Sequence, residues 1–207
     1  GAHIFGDVYN AMGTMRTSGA CIEWAIRELL RVPPGTPPDT KYGRLMESLL
    51  RGQSAETGLL FFPLLRGSLI PENRPEAAGS FVGLRDTHTQ ADMMKAVVEG
   101  VSLESAYMIN YLEDMTGVET KRIVAVGGGT QNSIWLQTKA NILGTPIDVP
   151  SVGESAVLGA ALLAGIGAGV YNNVADAGRV TGVAKTYVPN PEKHELFRQI
   201  YANYIAI

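Results

Sequence analysis

Four apolar residues, Ile123-Val124-Ala125-Val126, run straight into three glycines, Gly127-Gly128-Gly129, and no other feature limits the fold of this chain so tightly. An unbroken apolar strand suits a sheet covered on both faces, since neither of its sides faces water. Glycines at its end allow a sharp turn and leave bare backbone N–H groups that can face an anion or a flat ring. Ser133 to Leu143 has helical spacing, and Thr145 to Val149 reads as a second short strand. Strand, glycine turn, helix and strand in that order predict an α/β domain with helices over its sheet.

The flanking sequence fits that plan. Asp7 to Met15 reads as a strand, and Ile22, Ile26, Leu29 and Leu30 place a helix over Thr17 to Arg31. The proline-rich stretch from Pro33 to Pro38 ends it, and a second helical pattern runs from Asp39 through Leu45, Leu49 and Leu50. Leu59 to Leu65 reads as a short buried strand and Arg66 to Ser80 as a loop. Thr89-Gln90-Ala91-Asp92 has the form of a capping box and opens the longest helix, which Gly117 ends. Asn190-Pro191 is a cap followed by proline at the first helical position, launching a last helix. The most apolar stretch, Ser155 to Tyr171, falls short of the ~20 residues a membrane span needs and reads as a buried helix of small residues.

Composition excludes several functions. At 207 residues the chain is one large domain or two small ones, able to bury about 70% of its unfolded surface without staples. Twenty acidic against 17 basic residues, with no basic cluster, disfavour a nucleic-acid surface. The single cysteine, Cys21, forbids an internal disulfide and points to a reducing, cytoplasmic compartment. No signal peptide is visible, and the absent initiating Met suggests a piece of a longer protein.

The glycine turn admits three readings on spacing alone. A dinucleotide fingerprint needs Gly-x-Gly-x-x-Gly with an acid about 20 residues on. Here Asn132 stands in place of the third glycine, and Asp148 meets the acid's position only loosely. A P-loop, the other nucleotide reading, needs Gly-x-x-x-x-Gly-Lys-Ser/Thr, which is absent. The third reading is a tight strand-to-helix turn with no ligand.

The motifs around the turn resemble a known family. Gly127 to Ser133, Ile142-Leu143-Gly144-Thr145-Pro146, Gly153-Glu154-Ser155-Ala156 and Leu158-Gly159-Ala160-Ala161 are similar to the C-terminal domain of FGGY carbohydrate kinases. Upstream, Gly79-x-Phe81-x-Gly83-Leu84 followed by Asp92-Met93 and Ala96-Val97-Val98-Glu99 resembles that family's C-terminal signature, and Gly19 to Trp24 a third segment. The resemblance implies a ribonuclease H-like fold of the actin/Hsp70/sugar-kinase superfamily, with residues 1–207 forming most of the nucleotide-side domain. It further implies that Gly128 and Gly129 pass under the adenosine and α-phosphate of ATP, that Asn132 lies near the adenine, and that Gly19 and Glu23 line the opposite wall. Relatives often carry Gln at the place of Glu23; a carboxylate there can accept from ribose or adenine but opposes phosphate charge.

By the same resemblance, the intact enzyme would be about twice as long and use ATP with Mg²⁺ to phosphorylate a sugar or polyol. The motif from Phe61 to Gly67 looks most like the xylulokinase-type branch, although Gly67-Ser68-Leu69-Ile70-Pro71 alters that branch's usual wording. The Asp-x-Gly-Thr phosphate loop and the catalytic Asp of the family are not in this sequence, so no catalytic residue or metal ligand is assigned and this chain alone is expected to be inactive. The expected partners are ATP or ADP and a sugar held mainly by the other domain, with no nucleic acid or membrane; a homodimer is compatible with the reading. The alternatives are a non-catalytic nucleotide-binding module of the same fold and a dinucleotide-binding oxidoreductase domain. Other candidates read as structural: Glu154 as a helix-start carboxylate, Trp24 and Trp135 as packing residues, Cys21 as a buried thiol, and His3, His88 and His194 as histidines without metal-ligand partners.

Overall fold

A computed structural model describes residues 9–51 and 56–207. The elements in chain order are α1 (Ser18–Glu28), α2 (Pro38–Arg51), β1 (Leu60–Phe62), β2 (Ser80–Val82), α3 (Gln90–Thr116), β3 (Ile123–Val124), α4 (Ser133–Leu143), β4 (Ile147–Pro150), α5 (Ser155–Gly167), α6 (Val174–Gly178), β5 (Val183–Tyr187) and α7 (Pro191–Ile205). Of the expected opening strand only Asp7 and Val8 lie outside the described residues, as does His3; from Tyr9 to Met15 the chain makes a single bridge at Tyr9 and is otherwise irregular, so the strand read there does not form over the described part.

Helix α3 is the axis of the molecule. At its start the Thr89 hydroxyl accepts from the Asp92 N–H while Asp92 accepts from the Thr89 N–H, so two of the free donors of the first turn are paired. At its end Gly117 takes a left-handed conformation, φ 68°, and its N–H bonds back to Glu113. Between these caps Met94, Val97, Val98 and Val101 recur at helical spacing and are fully buried against α1, α2 and β1. The buried Ser102 bonds back four residues to the Val98 carbonyl at 2.7 Å.

Gly100 explains how β1 comes so close. A Cβ on it would sit 2.1 Å from the Phe61 carbonyl oxygen, so only glycine lets the strand lie against the helix backbone. Phe61 then reaches the main core, stacking on Trp24 with centroids 6.1 Å apart and tilting against Phe81 at 4.8 Å. A second cluster joins α3 to α7 through Leu103, Ala106, Phe197 and Tyr204, and a third packs Leu136, Ala140, Ile147 and Tyr187 between α4 and the sheet.

Among the described residues the strands form two small sheets. β1 and β2 are an antiparallel pair in register Phe61 to Phe81. β3 runs parallel to β4, pairing Ile123 with Ile147, and β4 runs antiparallel to β5 with a bulge between Val149 and Pro150. The parallel β3–α4–β4 unit agrees with the sequence reading. The covered sheet and the buried helix do not. Val124 and Val126, two residues apart on one side of the chain, are 50% and 54% exposed, because little among the described residues packs over that side. Helix α5, the most apolar of the chain, contains no buried residue, since it packs chiefly against the short α6 and nothing described covers its other sides. No helix among the described residues is long and apolar enough to cross a membrane.

Replacing Gly100 by Ala forces that backbone contact apart. The expected loss is about 2 kcal/mol or more of folding free energy, seen as a lower denaturation midpoint with an unchanged denaturant slope.

Candidate functional site

The glycine turn bends because Gly127 has φ 87°, a value that favours glycine, and the next four residues, Gly128–Gln131, close a single 3₁₀ turn. The Thr130 hydroxyl closes the turn on the Gly127 carbonyl at 2.7 Å. Asn132 follows as the cap of α4, its Oδ1 accepting the Trp135 N–H at 2.9 Å. Trp135 lies directly beneath the turn: a Cβ on Gly129 would meet its ring at 2.9 Å, so the bare glycine is what lets turn and indole touch.

Turn, α1 and α4 enclose a cleft of about 390 Å³. Gly19 and Glu23 from α1 line one side, and Gly128, Gly129 and Thr130 line the other. Four of the five residues singled out in the sequence therefore share one cavity. The fifth, Asn132, is buried behind the turn and does not line it. Cβ positions on Gly19 and Gly128 would meet no atom within 4 Å, so both glycines border open space. That space, bare backbone on facing walls and apolar side chains at Ile22 and Val126 suit a flat ring carrying a polar tail.

Sequence reasoning missed the groups that set the charge of the cleft. Lys41, from α2, reaches both oxygens of Glu23 at 2.8 Å, and the Tyr42 hydroxyl donates to Glu23 Oε1 at 2.8 Å. Burial pushes the Glu23 carboxyl up, but the combined pull of the hydrogen bonds and charge from Lys41 and Tyr42 holds it below its ordinary range. The carboxylate is thus neutralised locally, which removes the objection that it opposes an anionic ligand. Burial, with the neighbouring Glu23 carboxylate, raises the Tyr42 hydroxyl. Lys139 lines the cleft from α4 with its Nζ 4.8 Å from the Trp135 ring centre, and burial lowers its pKa. The i,i+4 spacing of Trp135 and Lys139 was the one sequence signal for that pair; the Glu23–Lys41 contact joins two helices and had none.

Other expected roles divide. Trp24 packs on β1, and Cys21 is buried with its thiol raised by desolvation. Glu154 sits at the start of α5, but its side chain makes no cap bond. His88 is held in a loop, accepting from the Arg85 N–H at 2.8 Å and facing the Thr57 carbonyl at 3.1 Å; the His194 Nδ1 lies 2.9 Å from the Asn141 carbonyl. Asp148, which a dinucleotide site would need for a ribose, is instead occupied by Thr186 at 2.6 Å and Arg122 at 2.7 Å, and these partners keep its carboxyl low.

Residues 3–168 match the C-terminal domain of the FGGY family of carbohydrate kinases, and the chain belongs to that family. Xylulose kinase of Staphylococcus epidermidis is 30% identical over 206 residues, covering 99% of this chain and 40% of its own. Among solved structures, gluconate kinase from Lactobacillus acidophilus superposes with a TM-score of 0.79 at 26% identity, over 91% of this chain and 37% of its own. Ligand-bound xylulose kinase from the same organism gives 0.78 at 25% identity, with the same coverage. The chain thus spans about two fifths of the length of the curated relatives it matches across nearly its whole length, and it has the α/β, ribonuclease H-like fold of the sugar kinases.

Substituting Lys41 by Met removes the cation beside Glu23. The Glu23 carboxyl should then titrate at higher pH than in the parent protein, read from its side-chain carboxyl carbon by NMR; an unchanged titration would show that Lys41 does not set the charge of the cleft.

Proposed function

We propose that this chain is the nucleotide-side domain of an ATP-dependent carbohydrate kinase, with a xylulose-like sugar as the favoured acceptor. The observation that carries the reading is the convergence of Gly19, Glu23, Gly128 and Gly129 on one cleft. The acceptor is argued from the Staphylococcus epidermidis xylulose kinase, which is similar along 99% of the chain. The gluconate kinase neighbour marks the sugar as the part to be tested. The unpaired Cys21 is consistent with a cytoplasmic protein.

The residues present fit the adenosine half of ATP. Gly128 and Gly129 offer backbone without side-chain bulk beneath the nucleoside and α-phosphate, and Gly19 leaves room on the facing wall. Glu23, already paired with Lys41, keeps lone pairs that accept from a ribose hydroxyl or the adenine amino group. Asn132 acts at the adenine end through the α4 cap, which fixes the turn over Trp135. Bound ATP with Mg²⁺ supplies the phosphoryl group and the charge neutralisation its transfer requires. The sugar, the base that takes its hydroxyl proton and most of the metal environment would belong to sequence outside this chain. Helix α5 presents Gly159, Ala160, Ala161 and Ala164 with no buried residue of its own, a low-bulk surface suited to close approach of a second domain that excludes water.

Two substitutions in the intact protein test the division of labour. Gly128→Val fills the cradle and should raise the ATP KM by about tenfold or more while the sugar KM holds. A Cβ on Gly159 would meet no atom within 4 Å in the described chain, so Gly159→Leu should leave the protein folded and lower kcat by about tenfold or more through impaired closure. Parent-like kinetics in both variants, or an intact protein that phosphorylates no sugar or polyol, would contradict the reading.

A further inference from the structure

A second cavity, of about 510 Å³, opens between the β1–β2 pair and the end of α7. Glu104 of α3 lines it and is only 8% exposed. One carboxylate oxygen accepts the Tyr204 hydroxyl at 2.6 Å, and Tyr204 in turn stacks on Phe62 with centroids 4.4 Å apart. The other oxygen has no hydrogen-bond partner among the described residues, and no Lys or Arg there pairs with Glu104. Arg74 borders the same cavity but is engaged by Glu72 at 2.5 Å on the exposed rim. A carboxylate on a mainly apolar wall, with one acceptor unpaired and no cation beside it, is open to a donor presented from the cavity.

We propose that this cavity binds a small organic ammonium compound, its cationic head on Glu104 and its apolar body between the Phe62–Tyr204 stack and the isoleucines of the wall. An ammonium group brings the charge and donors that Glu104 lacks, and the aromatic faces favour the same charge. Anions are repelled by the carboxylate. A divalent metal would want several oxygen ligands, whereas the walls here are mainly apolar. Burial raises the Glu104 carboxyl, and a cation bound beside it would oppose that shift.

Ile70, Ile205 and Ile207 line the cavity and serve as reporters. The intact protein, labelled at isoleucine δ1-methyls, is titrated at neutral pH with cyclohexylammonium and separately with the neutral isostere cyclohexanol. The inference predicts saturable shifts at these three methyls, with the ammonium binding at least about tenfold more tightly than the alcohol. Glu104→Gln keeps an acceptor for Tyr204 and should abolish that preference while distant methyl signals stay in place. Ala78→Trp, at the exposed rim of the cavity, should block the shifts of both probes with Glu104 intact, so the proposal stays testable if the Gln variant misfolds. Equal binding of the two probes, a preference that survives Glu104→Gln in a folded protein, shifts that persist in Ala78→Trp, or no saturable shift at all would overturn it.

Discussion

The contact between Trp135 and Gly129 is the one on which the rest of the cleft depends. The indole belongs to the same buried cluster as Ile22 and Ile26 of α1 and Val97 of α3. Its ring therefore ties the glycine turn to the helix that forms the facing wall. A side chain on Gly129 would push the turn off this support, because the ring leaves no room for a Cβ. Asn132 completes the arrangement by capping the helix that carries Trp135. Cleft width is thus set by packing on Trp135, and the glycines of the turn need only stay bare.

A second constraint acts through charge. Glu23 puts a carboxylate on the wall of the cleft, and on sequence grounds that should discourage an anionic ligand. Lys41 and Tyr42 reverse the argument by binding the carboxylate from α2, so that the wall presents a compensated ion pair. A single residue therefore misleads when its partner lies on another helix.

What the sequence revealed and what it hid follow from how local each signal is. The Thr89–Asp92 capping box, the left-handed Gly117 and the Asn190-Pro191 start of α7 are written within a few residues, and each appears where expected. The glycine turn and its helix are equally local. Strand β5 went unread because four of its five residues are exposed, leaving it no apolar stripe to announce it. Strand β2 is short and sits at the end of a loop-like stretch, its partner β1 nearly 20 residues away. The burial of α5 was inferred from hydrophobicity, yet burial is a property of what covers a surface, and among the described residues little does. The Val124 and Val126 side of β3 is open for the same reason.

Calorimetric titration of the intact protein with Mg·ADP, with NAD as comparator, tests the nucleotide cleft most directly. Saturable one-to-one binding of ADP with no heat from NAD is the predicted result. Preference for NAD, or no binding of ADP by a folded protein, would contradict the assignment of this cleft to the adenosine end of ATP.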